Sequence, residues 1–250
     1  MRKNHNNVGK RICRIYDNGN EPPIIVFSEK ETVEGNPARV QNALQLDGFK
    51  INPDDLISWD RLKSNIYLSV KKHSEDKVLK KSYLNLEAVI KLTFDMGFGK
   101  QGNITISRSL AEMIGVSEEE LWRTAEQNTR DSTVITRLSE FLGIDDDDRD
   151  GGPYLASARD YGGASVIFLP DVFAQFCKEH DENDCYILPS SIEEVIILCG
   201  STVRKNISIW ELAGIVEFVN NENVDPIMQL DPVVYQFSLS ENSIRIVANA

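Results

Sequence analysis

A chain of 250 residues with 41% hydrophobic and 26% charged residues has the composition of a water-soluble globular protein, neither disordered nor membrane-embedded. Its 27 Lys and Arg stand against 39 Asp and Glu, a formal charge of −12, which argues against nucleic acid or an anionic membrane surface as partner and for a basic protein. No run approaches the roughly 18 apolar residues of a membrane span, and Val8 to Tyr16 never becomes the apolar region of a signal peptide. The 4 cysteines (Cys13, Cys177, Cys185, Cys199) lack C-x-x-C spacing and the 3 histidines (His5, His73, His180) are scattered, so neither a disulfide framework nor a histidine-based metal centre is indicated; a reducing cytoplasm suits them.

In chain order, Arg11 to Tyr16 and Ile24 to Phe27 flank the turn sequence Asp17-Asn18-Gly19-Asn20 and predict a hairpin. Helices follow around Ala38 to Leu46 and within Asp54 to Ser64, then a strand over Ile66 to Val70. Leu86 to Phe94 and Ile104 to Ile106 predict two strands around a glycine-rich loop. Ser117 and Glu120 form a capping box that starts a helix to about Gln127. Asp131 to Leu142 places Val134, Ile135, Leu138, Phe141 and Leu142 at helical spacing, ended by Gly143. Ala164 to Leu169 predicts a strand, Asp171 to Lys178 a short helix, and Cys185 to Leu188 with Val195 to Cys199 two adjacent strands. A second capping box, Ser208 with Glu211, opens a helix to about Asn220 whose apolar stripe is Ile209, Leu212, Ala213, Ile215, Val216 and Val219. Val233 to Phe237 and Ile244 to Val247 close the chain as a hairpin. Trp59, Trp122 and Trp210 are expected to pack on the core. The fold class is α+β: a mixed or antiparallel sheet with helices packed on it and hairpins near both termini. An N-terminal α+β segment spans residues 1–72 and a core spans 73–250.

Several local patterns suggest chemistry. Asp146-Asp147-Asp148-Arg149-Asp150-Gly151 satisfies the first half of a calcium loop, with Asp146, Asp148 and Asp150 as candidate ligands. The twelfth position is Ser157 instead of a bidentate carboxylate, so the expectation is weak condensation of Ca2+ or another divalent cation on a solvated loop. Ser109 to Arg123 has helix-turn-helix spacing, but Glu118, Glu119, Glu120 and Glu126 against Arg123 would face phosphates with the wrong sign. Ser190 and Ser191 sit between strands near Glu193 and Glu194, without a G-x-S-x-G elbow and with only His180 nearby as a base. Gly97-Phe98-Gly99-Lys100-Gln101-Gly102 fits neither phosphate-binding glycine template.

Tyr186 to Ile196, Ile114 to Leu121 with Glu126 to Thr129, Tyr161 to Ala164, and Asn220 with Asp231 to Tyr235 together resemble the uncharacterised bacterial, largely clostridial, family DUF5688. Tyr186-Ile187-Leu188-Pro189-Ser190-Ser191-Ile192-Glu193-Glu194-Val195-Ile196 is similar to the family's Y-I-L-P-S-S-I-H-E-V-I. Ile114 to Leu121 with Glu126 to Thr129 resembles G-V-(S/T)-E-E-E-L followed by E-N-T; Tyr161-Gly162-Gly163-Ala164 resembles Y-G-A-A; Asn220 with Asp231 to Tyr235 resembles the C-terminal pattern. Glu193 stands where the family commonly has histidine, and Arg130 where it usually has proline. The resemblance implies an α+β fold and assigns no particular activity.

Without a complete catalytic constellation, the sequence favours a non-catalytic cytoplasmic accessory or protein-interaction module. The polar motif positions Asn128, Thr129, Ser190, Ser191 and Glu194 are its candidate binding residues, in competition with ordinary capping and turn roles. The alternative is a hydrolase or divalent-metal protein built on Ser190/Ser191 or on Asp146 to Asp150. No cofactor is indicated beyond that weak cation.

Overall fold

The computed structural model describes residues 12–16, 24–28, 58–76, 78–97, 100–144, 152–158, 163–189, 191–226 and 228–250. Ile12–Tyr16 (β1) and Ile24–Ser28 (β2) pair antiparallel, as the flanking turn residues predict. The helix expected over Ala38 to Leu46 lies outside the described residues; of the one within Asp54 to Ser64, Trp59–Leu62 (α1) is helical. A second sheet has the order β3-β5-β4, with β6 also pairing β5: Ile66–Lys72 (β3), Lys80–Tyr83 (β4), Leu86–Gly97 (β5) and Lys100–Thr105 (β6). The polar sequence Lys80-Lys81-Ser82-Tyr83 carries no strand pattern of its own. It becomes a strand because Leu84, at φ 54°, and Asn85 turn the chain back so that Tyr83 pairs with Leu86.

Arg108–Ile114 (α2) precedes Glu118–Ser132 (α3), where the Ser117 hydroxyl accepts the Glu120 N–H at 3.2 Å. The chain forms two compact units, residues 1–66 with 91–121, and residues 67–90 with 122–250. In the second unit, the helix expected over Asp131 to Leu142 is instead the end of α3, a strand Thr133–Arg137 (β7) and one helical turn Leu138–Leu142 (α4), closed by Gly143 at φ 66°. Thr133, Val134, Ile135 and Thr136 are all β-branched and favour the extended backbone that pairs with Tyr154–Ala158 (β8). The segment read as a strand over Ala164 to Leu169 is a 3-10 helix, Gly163–Phe168. Its short run is apolar except for Ser165, which is itself buried, so no periodicity separates strand from helix.

The remaining elements are Pro170–Glu179 (α5), Asp184–Leu188 (β9), Val195–Cys199 (β10), Gly200–Asn206 (α6), Ile209–Asn223 (α7), Val233–Ser238 (β11) and Ser243–Asn249 (β12). Six strands form an antiparallel sheet in the order β12-β11-β9-β10-β8-β7. The two-residue period of β9 serves both faces. Cys185 and Ile187 point with Tyr154, Val195, Ile197, Tyr235 and Phe237 toward Phe173, Phe176 and Cys177 of α5 and Val166 and Ile167 of the 3-10 helix. Tyr186 and Leu188 point the other way, with Val234 and Ala248, toward Val203 of α6 and Leu212, Ala213 and Val216 of α7. The result is an α+β unit with one antiparallel sheet between two helical layers.

Candidate functional site

The polar motif residues occupy different places. Thr129 is fully buried; its hydroxyl donates to Ala125 O at 2.7 Å and accepts the Leu68 N–H at 2.8 Å, fastening α3 to β3. Asn128 is half-buried on the same helix. Ser191 is buried and its hydroxyl accepts the Glu193 N–H at 3.1 Å, a local turn bond. Glu194 is half-buried, and burial, then the neighbouring Glu193 charge, raises its carboxyl above the usual range. Ser190, Asp146, Asp148 and Asp150 lie outside the described residues. Among the described residues, no group of three or more His, Cys, Asp or Glu is placed to hold a metal ion.

The structure joins two of the motif segments and the C-terminal pattern around this turn. Ser191 bridges to Gln229, whose amide donates to Asn220 O at 2.7 Å, while the Asn220 amide donates to Leu230 O at 2.9 Å. Gly163 lies so close that an added Cβ would stand 2.2 Å from Glu193 O. Arg130 forks onto the Asp171 carboxylate at 2.6 and 3.2 Å, linking α3 to α5. These bonds hold elements together and leave Ser191 and Thr129 engaged with backbone. Thr129→Val keeps the shape but strands the buried Leu68 N–H, an expected loss of about 1–3 kcal/mol in denaturant unfolding.

Two other clusters are buried. The Glu87 side chain is 1% exposed, with His73 Nδ1 at 2.8 Å and Lys80 Nζ at 3.0 Å from Oε1, and the Ser74 hydroxyl at 3.2 Å from Oε2. Cys177, Cys185 and Cys199 are free and buried in one core. The Cys177 thiol and burial push Cys185 far up, and burial pushes Cys199 up to about 11. The hydrogen bond with Cys185 lowers the Cys177 thiol, but all three side chains are buried and so kept from solvent reagents. In a Cys13→Ser background, a disulfide reagent such as DTNB should titrate none of the three in the native protein and all of them after unfolding.

The helix α7 has two apolar faces. Leu212, Ala213, Val216 and Asn220 are buried against the sheet. At about 100° per residue, Trp210, Gly214 and Phe218 form a row on the opposite side, with Ile215 beside it. Trp210 is 66%, Ile215 48% and Phe218 64% exposed. Trp122 is buried as expected and Trp59 partly so. The expectation fails for Trp210, and Ile215 leaves the core stripe, because a helix on one sheet face buries only the side turned to it. Glu211, Glu217 and Glu222 are exposed along the outer face, and Ile209–Asn223 contains no Lys, Arg or His.

A family of unknown function, DUF5688, matches residues 27–239, most of the chain. The chain belongs to this family. No curated protein matches it, and no solved structure does. The DUF5688 segment contains the Ser191 turn, the Glu87 cluster and all of α7, and ends at Leu239, before β12. Among the described residues of this DUF5688 chain, no helix is long and apolar enough to cross a membrane. Sequence reasoning missed the outer face of α7, although its signal is present: rows spaced by four, Leu212-Val216-Asn220 and Trp210-Gly214-Phe218, run along opposite sides of one helix.

Proposed function

We propose that this DUF5688 chain is a non-catalytic protein-interaction module of the reducing cytoplasm whose binding surface is the outer face of α7. The observation that carries this reading is the exposed row of Trp210, Gly214 and Phe218, with exposed Ile215 beside it, on a helix that already buries its other face. Adjacent large apolar side chains on a folded surface mark an interaction site, and tryptophan and phenylalanine provide the anchors that dominate such contacts. The free, buried thiols suit the compartment. Ser191 supports a catalytic reading poorly, since its hydroxyl serves its own turn.

Helix-forming peptides with one leucine face and lysine, glutamine or glutamate on the other test the reading. Trp210 reports contact directly by a blue shift of its emission. At least one peptide should bind, and Phe218→Ser should abolish binding while changing stability by no more than about 0.5 kcal/mol, as befits an exposed position. Failure of every peptide to shift the emission contradicts the assignment.

A further inference from the structure

Glu211, Gly214, Ile215 and Phe218 stand at i, i+3, i+4 and i+7, the four corners of a hole that receives one side chain from a crossing helix. Gly214 deepens that hole. A Cβ at Gly214 would meet nothing within 4 Å, so the fold itself does not require glycine there, and glycine in an exposed helix interior weakens the helix. A partner that approaches closely gives the missing side chain a use.

Charge selects the partner. A second copy of α7 would bring Glu211, Glu217 and Glu222 against the same three carboxylates with no cation on either helix, and an anionic membrane surface is repelled in the same way. Resting on the assignment of this face as the binding surface, we propose that its occupant is a basic amphipathic helix of another protein, whose apolar knob enters the notch at Gly214 while its lysine or arginine side chains meet Glu211, Glu217 and Glu222. The apolar contact supplies residence and the charges supply orientation and discrimination.

The test uses the full chain, the leucine/lysine peptide and its leucine/glutamate counterpart, with Trp210 emission as readout. The lysine peptide should bind at least about tenfold more tightly, with a preference that shrinks as salt screens the charges. The triple change Glu211→Gln, Glu217→Gln, Glu222→Gln should remove the preference. Gly214→Ala should melt roughly 1–4 °C higher than the native chain, from its better helix propensity, and yet bind the lysine peptide at least about tenfold more weakly, because the methyl fills the hole. Equal binding of the two peptides, or undiminished binding by Gly214→Ala, overturns the basic-helix proposal and leaves the surface assignment standing. Binding of neither peptide nor of the glutamine peptide removes the surface assignment itself. Concentration-dependent dimers in sedimentation that Phe218→Ser dissolves make a second copy the occupant and overturn the proposal.

Discussion

Gly163→Ala lowers stability by about 3 kcal/mol, at the upper end of overpacking costs, which appears as a fall of roughly 6–12 °C in melting temperature for a unit of this size. The added methyl would stand 2.2 Å from Glu193 O, 2.6 Å from Ser157 Cα and 2.7 Å from Ser157 Cβ. Backbone atoms of β8 and of the turn before β10 provide the first two contacts, so no flexible side chain can swing away. Relief requires the 3-10 helix to lift from β8 and β10, which opens the core around Ala164, Val166 and Ile167. Melting within about 1 °C of the native chain contradicts that packing.

Lys80→Met is the second large effect. Glu87 is buried at the level of its carboxylate, and Lys80, with a side chain 26% exposed, is its best-shielded cation; His73 is 71% exposed. Removing Lys80 leaves the buried charge with only the exposed His73 and the Ser74 hydroxyl to compensate it, at an expected loss of about 3 kcal/mol near neutral pH. Burial raises the Glu87 carboxyl, but Lys80, the Ser74 segment and His73 outweigh it and hold the group below the usual carboxylate range. A carboxyl depressed by folding stabilises the native chain fully above the unfolded value, and that contribution disappears as the pH falls through the folded value. In Lys80→Met the strongest of the lowering partners is gone, so the folded carboxyl takes up its proton more readily than in the native chain, and acid relieves the variant relative to it. The stability gap between native and variant should therefore be widest at neutral pH and close on acidification through the carboxylate range. A gap that stays constant with pH contradicts the pairing of Lys80 with Glu87.

The elements legible in the sequence are those whose periodicity has one reading. Cys185 to Leu188 and Val195 to Cys199 are apolar, strand-length and bounded by turn residues, and the Ser208–Glu211 box fixes the start of α7 by two reciprocal bonds, found at 3.2 and 2.8 Å. β7 was not legible because Val134, Ile135, Leu138, Phe141 and Leu142 fit helical spacing while their β-branched half pairs with β8. The 3-10 helix was not legible because Gly163 to Ile167 are all buried, Ser165 among them, so the short run shows no exposed phase to read. The candidate site suffered from the opposite error. A tryptophan in an apolar helical pattern suggests core, yet Trp210 belongs to a second apolar face whose existence shows only once the sheet has claimed the first. The polar motif residues Thr129 and Ser191, by contrast, hold backbone groups.

The proposed binding function rests on one surface, and amide and indole nuclear magnetic resonance of the labelled full chain during titration with the leucine/lysine peptide tests it most directly. The Trp210 indole signal and the amides of Glu211, Gly214, Ile215, Phe218 and Glu222 should move together and saturate together, while the Trp122 indole and the amides of Ser191 to Glu194 and of Glu87 stay in place. Shifts centred on the Ser191 turn or on Glu87, with α7 unmoved, would contradict the assignment of the outer α7 face as the binding surface.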